Sequence, residues 1–456
     1  MNIIIIGCGK VGYKVAEHLV EEGHDITMVD QDADRLQAAL NDLDIQGFVG
    51  SGTSIRTQQE AGIQNADLFI AVTGQDEINL LSCLIAKKVN NCRTIARVRN
   101  PEYFEERAYL RQCLDISLII NPDASTAKTI SQLIQVPSAT EIDTFAKGKV
   151  DMLQLEIPKD SPLDGMNMIE FAQKFNRVAL VCALVHEKQV IIPNGRTVMH
   201  TGDMIYTVVP PKEIRKFCRG VGLPVRPLKD VMIIGGSKIG YYLTKRLTPN
   251  GISVKIVDKD REHCEWLSEC LDANVICADA TEHHLLKEEN LEQMDAFVAL
   301  TNMDEENMFL SLYANKIAPG CKKITKNNRV SLNDLAMELP VGSIVSPMTI
   351  TAEYITQYVR SMNNSMSDSY CSEIESVYQL VDNQVEALEF TIKEDSRITG
   401  KPLQELKMKK GLLVCCIVRG DQVITPGGRD MMMKGDTVIV VTTIKRMDDI
   451  LDILEK

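Results

Sequence analysis

Residues 1–12 read MNIIIIGCGKVG, and residues 25–30 read DITMVD. Ile3–Ile6 is a short, wholly apolar run, the pattern of a central parallel strand buried on both faces. Gly7-Cys8-Gly9-Lys10-Val11-Gly12 follows it as G-x-G-x-x-G. Val11, Val15, Leu19 and Val20 then recur at helical spacing and stop at Gly23. The next strand, Ile26–Asp30, ends on an acid 18 residues (30 − 12) past Gly12. A lone glycine motif says little, but strand, motif, helix and acid in this order specify a dinucleotide-binding fold. Gly7 allows the tight turn, Gly9 a close backbone approach to a pyrophosphate, and Gly12 close helix–strand packing. The helix N-terminus offers free N–H groups to phosphate, and Asp30 is placed to accept from adenosine ribose hydroxyls. No arginine adjoins Asp30 in the sequence, which disfavours a 2′-phosphate.

Outward from this stretch, strand and helix signals alternate. A helix runs through Leu43, a strand covers Phe48–Val49, and a helix ends before Gly62. Strand Leu68–Thr73, helix Asp76–Val89 and strands Thr94–Val98 and Leu118–Ile120 follow. Such alternation demands an α/β doubly wound parallel sheet. Its strand ends add Gly52, Thr53, Thr73, Gly74 and Arg97 to the candidate pocket, Arg97 as a two-pronged phosphate ligand. A helix over Asp123–Val136 leaves the module as a crossover. Residues 139–224 read as a small α+β module. Its strands are Val150–Ile157, Val178–Val185, Gln189–Ile192 and Met204–Val209, with a helix at Met168–Phe175 and hairpin chemistry near Lys188 and Asn194.

The chain then repeats itself. DVMIIGGSKIG begins at Asp230, and aligning Gly7 with Gly235 sets an offset of 228. The same offset carries Gly12 to Gly240, Asp30 to Asp258, Thr53 to Thr281, Thr73 to Thr301 and Asp76 to Asp304; one inserted residue later, Arg97 faces Lys326. Lys159-Asp160-Ser161 resembles Glu394-Asp395-Ser396, and Gly202-Asp203 resembles Gly435-Asp436. Length alone, 456 residues at ~150 per domain, suggests about three domains. The repeat predicts four: dinucleotide-binding modules at 1–122 and 228–348, and small α+β modules at 139–224 and 372–456. The second glycine loop, Gly235-Gly236-Ser237-Lys238-Ile239-Gly240, has Ser237 in place of the second glycine. A Cβ there crowds the approach of a pyrophosphate, so the second copy is expected to bind nucleotide more weakly or differently. Asp258 keeps the ribose acid, followed by Lys259.

Composition narrows the function. Fifty Lys+Arg against 63 Asp+Glu leave a net charge of −13, which argues against nucleic acid and against direct adsorption to anionic lipid. No apolar run approaches the ~20 residues of a spanning helix, so direct membrane insertion is excluded. The chain opens on a strand, so no secretory signal is expected. Thirteen scattered cysteines without zinc spacing read as reduced thiols of a cytosolic protein. A dehydrogenase needs an acid/base beside the hydride path. The histidines are His18, His24, His186, His200, His263, His283 and His284, and none falls at a predicted strand C-terminus. His283 and His284 are adjacent, so on a helix they diverge and do not share a metal; neither a catalytic set nor a metal site is expected. On residues alone, a nucleotide sensor, an NAD-dependent oxidoreductase and a scaffold with empty pockets all remain open.

The order of modules and the phrases IIIIGCGKVG, DITMVD, AVTGQDEINL, IARVRNPEY and MMMKGDTVIVV resemble the TrkA family. These are cytosolic regulatory subunits of bacterial and archaeal Trk potassium uptake systems, built from RCK (KTN) domains. The resemblance spans essentially the whole chain. It implies tandem Rossmann-like modules, each followed by an RCK C-terminal module, with NAD or NADH as ligand and, in some members, ATP or ADP. It also implies a ring of two or four chains beneath a Trk-type potassium channel membrane subunit, and a cytoplasmic place at the inner face of the membrane through that subunit. Its role would be regulatory, not enzymatic. Family nucleotide contacts fall on Gly7, Cys8, Gly9, Lys10, Val11, Asp30, Thr73, Gly74 and Arg97. In the second copy they fall on Gly235, Gly236, Ser237, Lys238, Ile239, Asp258, Asp279, Thr301 and Lys326.

Overall fold

The computed structural model describes residues 1–175, 178–225, 228–282, 284–329, 339–365, 371–381, 384–445, 447 and 449–455. The chain divides into two compact units, Met1–Ile130 with Asp230–Thr356, and Ser131–Lys229 with Gln357–Lys456. The sequence copies therefore do not correspond to the spatial units. Like modules associate with like.

Among the described residues, the first unit holds two six-stranded parallel sheets. One comprises β1 (Asn2–Ile6), β2 (Asp25–Asp30), β3 (Gln46–Val49), β4 (Leu68–Ala71), β5 (Arg93–Arg97) and β6 (Leu118–Ile120), in the order β3-β2-β1-β4-β5-β6. β1 pairs Ile3 with Ile26 on one side and with Leu68 on the other. The order reverses between β1 and β4, so a switch-point crevice opens where β1 runs into Gly7. Ile4, Ile6, Phe69, Ala71 and Ala96 are buried in one core, and the alternate residues Ile3, Ile5, Leu68 and Ile70 are buried as well, so these strands carry apolar side chains toward both faces. β4 ends at Ala71, two residues short of the predicted Thr73, because the Thr73 N–H is taken by the Asn79 side chain (2.8 Å) instead of a neighbouring strand.

The other sheet of this unit contains β12 (Asp230–Ile234), β13 (Ser253–Asp258), β14 (Asn274–Cys277), β15 (Ala296–Ala299), β16 (Lys322–Lys326) and β17 (Ser343–Val345). Its order, β14-β13-β12-β15-β16-β17, repeats the first. The Asn121 side chain donates to the Tyr242 hydroxyl at 3.0 Å, and the Phe104 ring meets Tyr242 edge-on at 6.2 Å. Lys245 pairs with Glu105 at 2.9 Å. These contacts join the two modules of the unit.

In the second unit both sheets are antiparallel. β7 (Glu141–Phe145), β8 (Val150–Glu156), β9 (Leu180–His186), β10 (Gln189–Ile191) and β11 (Met204–Val209) lie in the order β10-β9-β11-β8-β7. β7 escapes a sequence reading because EIDTF is short and mostly polar. The β9–β10 turn is made by Glu187 and Lys188, both at positive φ (47° and 67°), the primed geometry that a two-residue hairpin demands. β18 (Ser372–Leu380), β19 (Val385–Ile392), β20 (Leu412–Arg419), β21 (Gln422–Ile424) and β22 (Thr437–Thr442) repeat that order. The two sheets share one core, in which Phe145, Met152, Cys182 and Val208 meet Leu380, Cys415, Cys416 and Val441. Phe145 and Tyr378 stand 4.5 Å apart at their ring centres, and the Tyr378 hydroxyl donates to the Thr144 carbonyl. A small module has too little interior to stand well alone, and merging two cores raises the buried fraction.

The helices Pro122–Gln135 and Pro347–Ser365 carry the chain from the first unit to the second in each copy. Among the described residues no helix is long and apolar enough to cross a membrane.

Candidate nucleotide-binding site

At the first glycine loop each glycine has its own reason. Gly7 sits at φ +103°, and a Cβ there would lie 3.0 Å from the Thr73 nitrogen. A Cβ on Gly12 would lie 1.9 Å from the Gly7 carbonyl oxygen, so the helix passes over the loop at a distance only glycine allows. Gly9 has nothing within 4 Å of its Cβ position. The loop thus presents an open backbone face at Gly9.

The helix Lys10–Glu21 begins on Gly9 without a side-chain cap and without an acid in its first turn. Its neighbours Ala33–Asp42, Ile55–Glu60 and Pro101–Glu105 are capped by Asp32, Ser54 and Asn100. The helix Asp76–Asn90 is also uncapped but carries Asp76 and Glu77 in its first turn, so it is at the first glycine loop that free N–H groups meet no acid and the helix dipole favours an anion.

Asp30 ends β2 beside this loop. Its Oδ2 accepts the Cys8 N–H at 2.5 Å, and its Oδ1 accepts the Asp32 N–H at 2.8 Å. Each oxygen keeps a further acceptor site, so the carboxylate can pin the loop and still take a ribose hydroxyl. The Arg35 carbonyl accepts from the Cys8 thiol, while its Nε pairs with Asp32 at 3.1 Å.

Across the switch point, the Arg97 head lies 9% exposed at the end of β5. One of its terminal nitrogens donates to the Thr73 carbonyl, and its Nε is buried without a partner. Burial lowers its pKa, but a guanidinium remains charged. Only one prong of the expected two-pronged contact is thus already used. A buried cation with an orphaned donor fits an anionic ligand. Gly74 is open beyond its Cβ position, while a Cβ on Gly52 would lie 2.2 Å from Ile6, so Gly52 serves packing. Thr53 bonds the Ser51 hydroxyl at 2.9 Å.

The pair Asn79 and Asn307 escapes a sequence reading, and Asp76 and Asp304 enter it only as repeat matches. Asn79 is wholly buried; its Oδ1 accepts the Thr73 N–H (2.8 Å) and hydroxyl (2.7 Å), while its Nδ2 donates to the carbonyls of Thr73 and Arg97. Asn307 repeats this toward Thr301 and Lys326. Asp76 accepts the N–H groups of Arg99 and Asn100, and Asp304 accepts that of Asn328. The signal was present, since Asn79 and Asn307 are also 228 apart and each is a polar residue on a buried helix face.

The second site keeps the frame and changes the lining. Gly235 sits at φ +92°, and Asp258 accepts the Gly236 N–H at 2.6 Å. A Cβ on Gly236 would lie 2.3 Å from Leu267, so Gly236 is a packing position. The helix Lys238–Leu247 is again uncapped, and the Ser237 hydroxyl is buried without a partner. Asp279 accepts from the N–H and hydroxyl of Thr281, and these bonds lower its pKa. Lys326 is 5% exposed, 3.5 Å from the Leu300 carbonyl, and its pKa is lowered by burial.

Among the described residues the histidines do not gather at the first glycine loop, whereas at the second His263 Nδ1 stands 3.6 Å from Asp258 Oδ2. His18 is buried on the first helix, where burial pulls its pKa down to about 4. His283 lies outside the described residues. His186 does end a strand, contrary to the sequence reading, and its Nδ1 stands 2.6 Å from Asp203. In the second copy Arg419 grips Asp436 at the same position by two bonds, at 2.8 and 2.7 Å. An arginine cannot act as a base there, so the shared task is to hold the aspartate that accepts the N–H groups of His200 and Met433.

Fold and site together define a duplicated chain of dinucleotide-fold modules, each linked to an antiparallel partner module. The TrkA-N domain model matches residues 3–122 and 231–347, and the TrkA-C domain model matches 152–222 and 387–455. The chain belongs to the TrkA family. It is 32% identical over 454 residues to the Trk system potassium uptake protein TrkA of Halomonas elongata, covering 98% of this chain and 96% of that one. Identity to the same-named protein of Vibrio alginolyticus is 31% over 455 residues, with coverage of 98% and 96%. A solved structure of the GsuK channel bound to NAD superposes with TM-score 0.64 at 16% identity, covering 97% of this chain and 76% of that one.

Proposed function

We propose that this chain is the nucleotide-binding regulatory subunit of a Trk-type potassium uptake system, with NAD or NADH as ligand and ATP or ADP as alternatives. Relatives named as Trk potassium uptake proteins align over nearly its full length, and a channel of the same fold was solved with NAD. The observation that carries the ligand assignment is the uncapped helix N-terminus on an open Gly9, flanked by Asp30 and the orphaned Arg97 donor.

We assign the first site to Gly7–Gly12, Asp30, Thr53, Thr73, Gly74 and Arg97, and the second to Gly235–Ile239, Asp258, Asp279, Thr301 and Lys326. When bound, the nucleotide supplies negative charge and a ribose diol, not a reaction. First-turn N–H groups hold its phosphates, and Asp30 orients its ribose. Thr73 and Arg97, braced by Asn79, close the opposite wall. A ligand shifts a conformational balance only by binding one state better than another. Our reading is that occupancy biases the arrangement of dinucleotide modules, and that chains assembled as a ring of two or four pass this to a membrane channel subunit at the cytoplasmic face.

Titration of NADH, NAD, ATP and ADP onto the purified protein tests the ligand, wild type against Asp30→Ala. Loss of one hydrogen bond to a charged group, about 1.5–3 kcal/mol, predicts a roughly 10- to 100-fold weaker first site. Absence of binding by all four, or unchanged affinity in the variant, refutes the assignment.

A further inference from the structure

The second dinucleotide-fold module carries two thiols that its twin lacks. Cys264 and Cys277 stand 228 residues past Leu36 and Val49, so the first copy is apolar at both positions. Cys264 lies on the helix Arg261–Cys270, is 5% exposed, and donates its thiol to the Asp258 carbonyl at 3.3 Å. That same carbonyl accepts the Ala278 N–H at 2.9 Å. Asp258 is also the register partner of Cys277, the last residue of β14. One acceptor therefore holds both the Cys264 sulfur and the residue beside Cys277, and the two thiols interact.

The two sulfurs differ in access. Cys277 is exposed, whereas burial, its bond with Cys277 and the nearby Asp258 and Asp260 push the Cys264 thiol up to about 12. Reagents therefore enter at Cys277 and find Cys264 behind it. In the second unit Cys182 and Cys415 also interact, but both are fully buried, so no reagent reaches them.

We propose that Cys264 and Cys277 form a reversible dithiol–disulfide site that exchanges with low-molecular-weight disulfides of the glutathione type. The Cys277 thiolate attacks one sulfur of the small disulfide and breaks its S–S bond. The expelled thiolate takes up the proton that Cys277 lost. The Cys264 sulfur then attacks the Cys277 sulfur, forming the internal S–S bond and releasing the second small thiol with the proton from Cys264. The protein pair is oxidised by two electrons, and the small disulfide is reduced to two thiols. The new bond ties the helix Arg261–Cys270 to the end of β14, beside the carboxylate that pins the second glycine loop.

The site carries its own reporter. Trp266, the single tryptophan of the chain, lies on that helix. It stacks on His263 at 5.6 Å and on Tyr241 at 5.1 Å. The test is to treat the full-length protein with oxidised glutathione, alkylate the remaining thiols and map its peptides. The expected result is a Cys264–Cys277-linked peptide about 2 Da lighter than its reduced parts, a matching change in Trp266 emission, and reversal of both by dithiothreitol. Cys264→Leu and Cys277→Val install the residues of the first copy, and each is expected to fold and to lose both signals. A Cys277 that stops at the glutathione adduct, or that pairs with another cysteine, overturns the proposal. It does not rest on nucleotide binding, so the two readings fail separately.

Discussion

Alanine at Gly12 and at Gly240 places one methyl group at equivalent points of the two copies, yet the structure sets different costs. At Gly12 the new Cβ falls 1.9 Å from the Gly7 carbonyl oxygen and 3.3 Å from Val72. Relief to the 3.0 Å below which real contacts essentially vanish requires a shift of 1.1 Å (3.0 − 1.9) between the helix and the loop. At Gly240 the corresponding contact is already 3.0 Å. Forcing a methyl into packed structure costs about 1–3 kcal/mol, while glycine to alanine in a helix returns up to ~1 kcal/mol. Gly12→Ala should therefore lose about 1–2 kcal/mol, and Gly240→Ala should be nearly neutral. Because several modules need not unfold together, hydrogen exchange by mass spectrometry is the assay, with peptides covering residues 1–21 and 229–247 read separately. The first should exchange roughly 5- to 30-fold faster in Gly12→Ala, the second hardly differently in Gly240→Ala. Equal effects in the two copies, or a larger one at Gly240, would refute the close-approach argument.

Asn79→Ala orphans the Thr73 N–H and the Arg97 carbonyl, at about 1–3 kcal/mol each. A loss of about 2–6 kcal/mol in denaturant unfolding is expected, against no change for an exposed control such as Lys88→Ala. Arg97→Met removes a buried cation with an unpartnered Nε, so stability should move by no more than about 1 kcal/mol while nucleotide titration shows at least tenfold weaker binding. A variant that still binds fully removes Arg97 from the site. His18 titrates near 4 in the fold against an ordinary 6.5. Between those values the unfolded chain holds a proton that the folded chain lacks, so stability rises with pH and is lost as pH falls from about 6.5 to 4. The loss is about 3 kcal/mol at most. Urea unfolding of His18→Gln across this range should show a flatter profile than wild type.

The four-module plan was legible because alternating strand and helix signals, glycine loops and terminal acids recur at a constant offset of 228 residues. Such features are local: a glycine that must adopt positive φ, or an acid that ends a strand, leaves its mark in the chain itself. β7 left none, since EIDTF takes its stability from β8 rather than from an apolar pattern of its own. Asn79 was overlooked because its partners, Thr73 and Arg97, come from two different strand ends. The Arg35 carbonyl reaches the Cys8 thiol through a helical turn that sequence adjacency does not display.

The sequence by itself determined the modules, their order, the duplication and the two glycine loops, all matters of local backbone preference and periodicity. Tertiary structure decided which modules join. The two copies are consecutive in the chain, yet dinucleotide modules pair with each other and antiparallel modules merge their cores, with Phe145 against Tyr378 and Cys182 beside Cys415. It also decided that the Arg97 and Lys326 heads are buried at the strand ends. The physical reason is that burial depends on surfaces brought together from distant parts of the chain, and no local pattern records which apolar face will meet which.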